Sequence, residues 1–426
     1  MSASLAAGAR DSAMCASRAR RVLAASLVGT SIEFFDFFAH AIVTALAFPK
    51  LFLSPGDLGL PNLQALAMFA LAFFARPLGA AVFGHPGCRG SRKSTLVLAL
   101  LTVGTGRVLV GLLPSYTSAG VLAPALLALF RLAEGVALEG EWGGALLRAK
   151  ENASPGWRAW YGMLPKLGAL IGFVSAAGAF LLLSASFDEE SFLAWGWRVP
   201  FFASALLVAV GLYVRRKVTQ APELAHTSGT RVSASMWALV RAYPRSLALA
   251  TIAAAAPFVM VYTMTVFTMS WATSRLGVSW PQMLAIQMLA VLLAGLLTPL
   301  ATAFAARWSS RGVTMAATLA CSAFGFSAAP LLGSANGGAF FTVAGLALAG
   351  VCYAPLGTAL ADLFPTPVRY AGLSLAANLA GVLGASLLPY IAARVAQTQG
   401  LAAVGYYLSA TSLLSFVALA RIRSPK

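Results

Sequence analysis

Residues Gly29 to Pro49 read GTSIEFFDFFAHAIVTALAFP, a run long and apolar enough to cross a bilayer that nevertheless carries Glu33, Asp36 and His40. A spanning helix needs about 20 mostly apolar residues. An ionised side chain at its centre costs about 2.5–3.5 kcal/mol on insertion scales, against the 0.3–0.6 that each Leu, Ile, Phe or Val returns. Such groups must therefore face protein or water. Glu33 and Asp36 are three positions apart and Asp36 and His40 four, which puts all three on one helical stripe, while Phe34, Phe35, Phe37 and Phe38 cover much of the remainder. The stripe is expected to line a bundle interior. There a carboxyl group can take up and return a proton, the chemistry that a proton-coupled carrier needs. The competing reading makes Asp36 the structural partner of an arginine and Glu33 a hydrated group near the helix end.

The rest of the chain has the same character. Of its 426 residues 59% are hydrophobic and 10% charged, against about 25% charged in soluble domains. Hydropathy predicts twelve spans, at 22–48, 63–84, 94–114, 119–140, 160–185, 194–214, 246–272, 282–305, 312–332, 338–362, 370–394 and 401–420. The polar stretch Arg215 to Arg245 separates six from six. The expected organisation is an all-α membrane protein with an N-terminal bundle over 1–214, a cytoplasmic linker over 215–245 and a C-terminal bundle over 246–426.

A net charge of +17 raises the question of nucleic acid, and topology answers it. With the N-terminus inside, 22 of the 30 basic residues fall in the tails and inner loops, and the outer loops hold only Lys50, Arg198, Arg275 and Arg394. This is the positive-inside pattern of a multi-pass inner-membrane protein with both termini cytoplasmic, and it needs no nucleic-acid partner. The start ARRVLAASLVG has the charge pattern of a signal peptide, but Glu33 and Asp36 and the lack of a cleavage site argue for a first span. Cys15, Cys88, Cys321 and Cys352 show no CxxC spacing, so neither a disulfide nor a metal cluster is expected.

The opposite charge appears in LLALFRLAEGVALEGEWGGALL, where Arg131 and Glu134 are one turn apart and Glu139 and Glu141 follow. Arg131 cannot shed its proton, so inside a helix bundle it must find an acid, a carbonyl or an anionic substrate. Both a substrate role and a permanent pair with Glu134 fit. Arg76, Arg107 and Lys166 complete the intramembrane cations; Lys166 is placed to snorkel or to line a pathway, and Arg107 has no partner that sequence spacing identifies. No HExxH, GxSxG or clustered His/Cys motif is present, so neither an enzyme nor a cofactor is expected.

Several long segments in order, GTSIEFFDFFAHAIVTALAFPKLFL, FFARPLGAAVFGHPGCRGSRKSTLVLALL, RLAEGVALEGEWGGALL, AWGWRVPFFASALLV, YTMTVFTMSWATSRLG and ADLFPTPVRYAGLSLAANLAGVLG, resemble the metabolite:proton symporter family of the major facilitator superfamily. The resemblance spans nearly the whole chain. It implies two six-helix bundles about a central cavity, alternating access, and proton-coupled symport of a small organic acid or zwitterion, a carboxylate or a betaine, across the cytoplasmic membrane by a monomer. By position it makes Glu33 and Asp36 candidates for proton coupling and links Arg131 to proton or substrate handling. Glu134 and Glu139 depart from the family, which commonly has Gln and Gly there; Glu134 is kept as a third coupling candidate. With Arg131, the cations Arg76 and Lys166 and the aromatic Tyr262 and Phe267 are candidates for substrate binding, although Tyr262 and Phe267 read more readily as packing.

The inner loops depart from the family pattern. GHPGCRGSRK, carrying His85, Cys88, Arg89 and Arg92, has Cys88 where the family's gate loop has an acid, and AFAARWSSRG keeps Arg307 but has Ala306 in the other acidic position. Losing such charge pairs shifts the balance between two states; the expected consequence is a preference for the inward-facing state, the use of other gate contacts, or a loss of efficient transport. An uncoupled facilitator, and a transporter-like receptor that binds without completing the cycle, are the alternative readings.

Overall fold

The computed structural model describes residues 27–53, 60–83, 92–151, 158–219, 236–365 and 368–422. Among them there is no strand. In lipid every backbone amide must be satisfied within its own segment, and helices do this without a partner. Twelve long helical segments follow one another: α1 Leu27–Leu46, α2 Leu60–Phe83, α3 Arg92–Gly111, α4 Leu122–Glu151, α5 Arg158–Ser186, α6 Val199–Thr219, α7 Pro244–Arg275, α8 Trp280–Arg307, α9 Ser310–Gly325 and α10 Ala335–Ala359. α11 runs through Arg369–Gly381, Val382–Leu387 and Leu388–Thr398, and α12 is Leu401–Arg421. Seven of them (α1, α5, α7, α8, α10, α11 and α12) contain described stretches long and apolar enough to cross a membrane.

The packing repeats. In the first half α2 packs on α4, α3 on α4 and α3 on α6; in the second α8 packs on α10, α9 on α10 and α9 on α12. Adding six to each helix number converts one set into the other, as expected of two parallel repeats about an axis along the membrane normal. The same operation exchanges the two main contacts between halves, α2 with α11 and α5 with α8. The first six and the last six helices are thus packed in the same pattern.

Close helix approach depends on missing side chains. A Cβ on Gly135 of α4 would collide with the Ala72 carbonyl oxygen of α2, and one on Gly79 of α2 with the Val136 carbonyl of α4. Glycine at both positions lets the two backbones touch.

Two helices are locally unwound into π-turns, Thr263–Phe267 in α7 and Val382–Leu387 in α11. The wider π geometry disturbs the ordinary i to i−4 ladder. In α7 a side chain from the next helix compensates: Gln287 Nε2 of α8 donates to the carbonyls of Met264 at 3.1 Å and Thr265 at 2.8 Å.

Candidate functional site

A cavity of about 160 Å³ lies between the halves, roughly ten times the space that one water molecule needs. Its walls come from both repeats. Glu33, Phe34, Phe37 and Phe38 of α1, Arg76 of α2, Arg107 of α3 and Phe173 of α5 face Tyr262 and Thr265 of α7, Thr298 of α8, Tyr353 of α10 and Asn378 of α11. The wall is thus mainly apolar, aromatic and aliphatic, with two guanidiniums, one carboxyl group and a few hydroxyl and amide groups. That is the composition of a small-molecule site, in which the apolar surface supplies contact area and the sparse polar groups orient the ligand.

The phenylalanines of the GTSIEFFDFF stretch are not lipid-facing filler. Phe35, Phe37 and Phe38 are buried, and Phe37 forms a ring cluster with Phe69 and Phe73 of α2 at centroid separations of 5.6 Å each. Tyr262 reaches into this cluster from the other half, 5.8 Å from Phe37 and 5.7 Å from Phe73, both edge to face. Edge-to-face packing aligns ring edges with the negative ring faces, so Tyr262 is held between the halves while its body borders the cavity. Arg76 lies with its Cζ 5.0 Å from the centroid of the Phe73 ring. The described ion pairs are Lys50–Glu189, Arg107–Glu134 and Arg131–Glu134, and Arg76 is in none of them.

Behind the wall is a buried charge cluster. Glu134 accepts from Arg107 Nη2 through Oε1 and from Arg131 Nη1 at 2.7 Å through Oε2. Arg131 also donates to the Phe69 carbonyl at 3.2 Å, and its Cζ lies 5.4 Å from that residue's ring centroid. Arg107 Nη1 is 3.3 Å from His40 Nδ1. A guanidinium can only donate, so this contact is a hydrogen bond in the tautomer whose Nδ1 is the acceptor. Arg107, Arg131, Glu134 and His40 are all at most 4% exposed. One carboxylate between two guanidiniums, with a carbonyl and an imidazole as further acceptors, is the arrangement that keeps buried charges tolerable.

The residues singled out by the sequence separate into three groups. Glu33, Arg76 and Tyr262 line the cavity. Arg131 and Glu134 meet each other behind it, as the i, i+3 spacing allows. Asp36 is buried and accepts from Ser204 Oγ of α6. Phe267 belongs to the hydrophobic core, stacked on Trp271 with centroids 6.0 Å apart. Arg307 ends α8 on the surface. His85, Cys88 and Arg89 lie outside the described residues, as do the side chains of Arg92 and Lys166. Arg107, Thr298, Tyr353 and Asn378 are cavity residues that sequence reasoning did not select. Only Arg107 carried a signal, an intramembrane charge with no assigned partner.

At the ends assigned to the outside the halves touch: Phe192, before α6, packs on Trp280 at the start of α8 with ring centroids 5.2 Å apart. Lys50 and Glu189, near the same ends, pair at 2.6 Å.

The model of the sugar (and other) transporter family matches residues 21–223. The chain is 45% identical to the inner membrane metabolite transport protein YhjE of Escherichia coli K12, over 94% of this chain and 93% of that protein. It is 31% identical to the shikimate transporter of the same organism over 88% of each chain. Among solved structures, that of a D-xylose-proton symporter superposes with a TM-score of 0.74 over 94% of this chain and 96% of the other, at 14% identity.

Proposed function

Because the chain belongs to the metabolite transporter family of the major facilitator superfamily, and is thus a multi-pass inner-membrane transporter rather than an enzyme, we propose that it carries a small carboxylate or zwitterion into the cell together with a proton. The observation that carries this reading is the cavity between the halves. Its wall holds one cation outside the described ion pairs, Arg76, and a carboxyl group, Glu33, on the helix whose stripe also supplies Asp36.

In this reading the substrate's carboxylate is attracted to the arginine side of the cavity and its body packs among Phe34, Phe37, Phe38, Phe173 and Tyr262. A proton on Asp36, on its stripe neighbour Glu33 or on Glu134 accompanies it. Contact of the halves at Phe192 and Trp280 closes the ends assigned to the outside, which supports an inward-facing state. A preference for that state is one of the consequences expected of the acids missing at Cys88 and Ala306. Entry of each net positive charge gains about 2.3 kcal/mol per 100 mV of membrane potential, so a zwitterion moving with a proton is driven by the potential, whereas a monocarboxylate with one proton is driven by the pH gradient alone.

The test is external pH in a lightly buffered suspension of de-energised vesicles as carboxylates and betaines are added singly. Alkalinisation that requires this protein supports symport. Protein-dependent labelled uptake without alkalinisation would make it an uncoupled facilitator, and binding without uptake a receptor.

A further inference from the structure

Arg107 is the one residue that belongs to both the cavity wall and the buried charge cluster. We propose that Arg107 is an anchor for the substrate's carboxylate, held in reserve by Glu134 and released to the cavity when Glu134 takes up a proton. The inference rests on the proton-symport reading above and deepens it.

The two arginines that share Glu134 are not equivalent. Arg131 has a second acceptor in the Phe69 carbonyl and does not line the cavity. Arg107, 2% exposed, has the His40 Nδ1 besides Glu134 among its described partners; the Nε atoms of both arginines are buried without a hydrogen-bond partner, but only Arg107 lines the cavity. The other ionisable groups around the pair are His40 on α1, with Asp36 one turn away, Arg131 on α4, and Arg76 and Glu33 on the same N-terminal side of the cavity. With a proton on Oε1, Glu134 offers Arg107 a neutral hydroxyl in place of a charged acceptor; the bond from Nη2 breaks, and Arg131 keeps both Oε2 and its carbonyl. Arg107 cannot lose its own proton to compensate. A carboxylate in the cavity then supplies the missing acceptor, and new bonds form from Arg107 to that anion. Proton and anion thereby favour each other's binding, and linkage makes the preference reciprocal. Departure of the anion returns Arg107 to Glu134 and expels the proton on the same side.

The test uses the full-length protein in proteoliposomes, labelled with the arginine reagent phenylglyoxal and read peptide by peptide by mass spectrometry, with and without benzoate. Glu134→Gln mimics the protonated acid. It is expected to raise the labelling rate at Arg107 several-fold, benzoate should cancel the rise, and Arg131 should stay unlabelled. Equal rates at Arg107 in the variant and wild type, or no effect of benzoate, would overturn the assignment. Should the variant not fold, wild-type protein decides: benzoate protection of Arg107 must strengthen as the pH is lowered from neutrality into the acid range, and protection indifferent to pH over that range overturns the proposal. Substrate-dependent alkalinisation with Arg107 labelling indifferent to Glu134 would refute this inference and leave symport standing. The expected labelling without alkalinisation would keep Arg107 as the anion anchor and refute proton symport instead.

Discussion

Asp36 of α1 accepts a hydrogen bond from the Ser204 hydroxyl of α6, which fixes a buried carboxyl group within the N-terminal half, one turn from the charge cluster that contains His40. Asp36→Asn keeps the size and one acceptor of the side chain and removes its ability to carry a proton. The variant is expected to lose uphill accumulation while exchanging substrate across the membrane at a measurable rate. Counterflow and gradient-driven uptake measured side by side in vesicles check this, and unchanged accumulation would remove Asp36 from the coupling path.

Tyr262 lines the cavity and carries a hydroxyl on the ring that packs between the halves. Tyr262→Phe keeps the edge-to-face packing on Phe37 and Phe73 and removes only the polar group. Losing one hydrogen bond of about 0.5–1.5 kcal/mol corresponds to a rise in KM of roughly two- to tenfold, with maximal rate little changed. Tyr262→Ala also removes the ring held between the halves and is expected to depress the rate itself. Initial-rate kinetics on the two variants separate these effects.

Gln287 satisfies two carbonyls of the π-turn in α7. Gln287→Leu leaves Met264 and Thr265 without this donor in an apolar interior, at a cost of about 1–3 kcal/mol. Thermal unfolding in detergent should show the loss as a lowered Tm. Transport should fall further than the Tm shift explains, because Thr265 of the same turn lines the cavity.

Gly135→Ala puts a methyl group against the Ala72 carbonyl, where neither backbone has room to yield. Overpacking of this kind costs about 1–3 kcal/mol. The expected result is a lower yield of folded protein and a lower Tm, with residual transport in the fraction that folds.

The Lys50–Glu189 pair should behave oppositely. The hydrogen bond from Lys50 and its charge hold the Glu189 carboxyl below the usual carboxylate range. A lowered folded-state pKa means that the pair's stabilisation is present above the ordinary glutamate range and is lost as the pH falls through the folded value. Both side chains are more than half exposed, so the contribution is small. Lys50→Ala should leave the Tm at neutral pH within a degree or two, at the scale of a weak surface pair, and should remove what acid sensitivity the pair confers.

The order of helices was legible because hydropathy reports directly on the need of each segment to satisfy its own backbone in lipid. Pairing between Arg131 and Glu134 was legible because residues three apart share a helix face. The partners of Arg107 were not: Glu134 is 27 positions away and His40 is 67, and only packing of α1, α3 and α4 brings them together. The α1 stripe held as a line of polar groups, yet its members diverge, Glu33 to the cavity, Asp36 to Ser204 and His40 to Arg107, because different helices flank successive turns. The π-turns left no trace in the apolar pattern, which has no register to distinguish them from an ordinary helix.

The central claim is that a proton moves with the substrate. Its most direct test is the external pH of lightly buffered, de-energised vesicles containing the purified protein, recorded as individual carboxylates and betaines are added. Proton symport predicts protein-dependent alkalinisation with at least one compound, abolished by Asp36→Asn. Uptake of that compound through the protein with no change in external pH would contradict it.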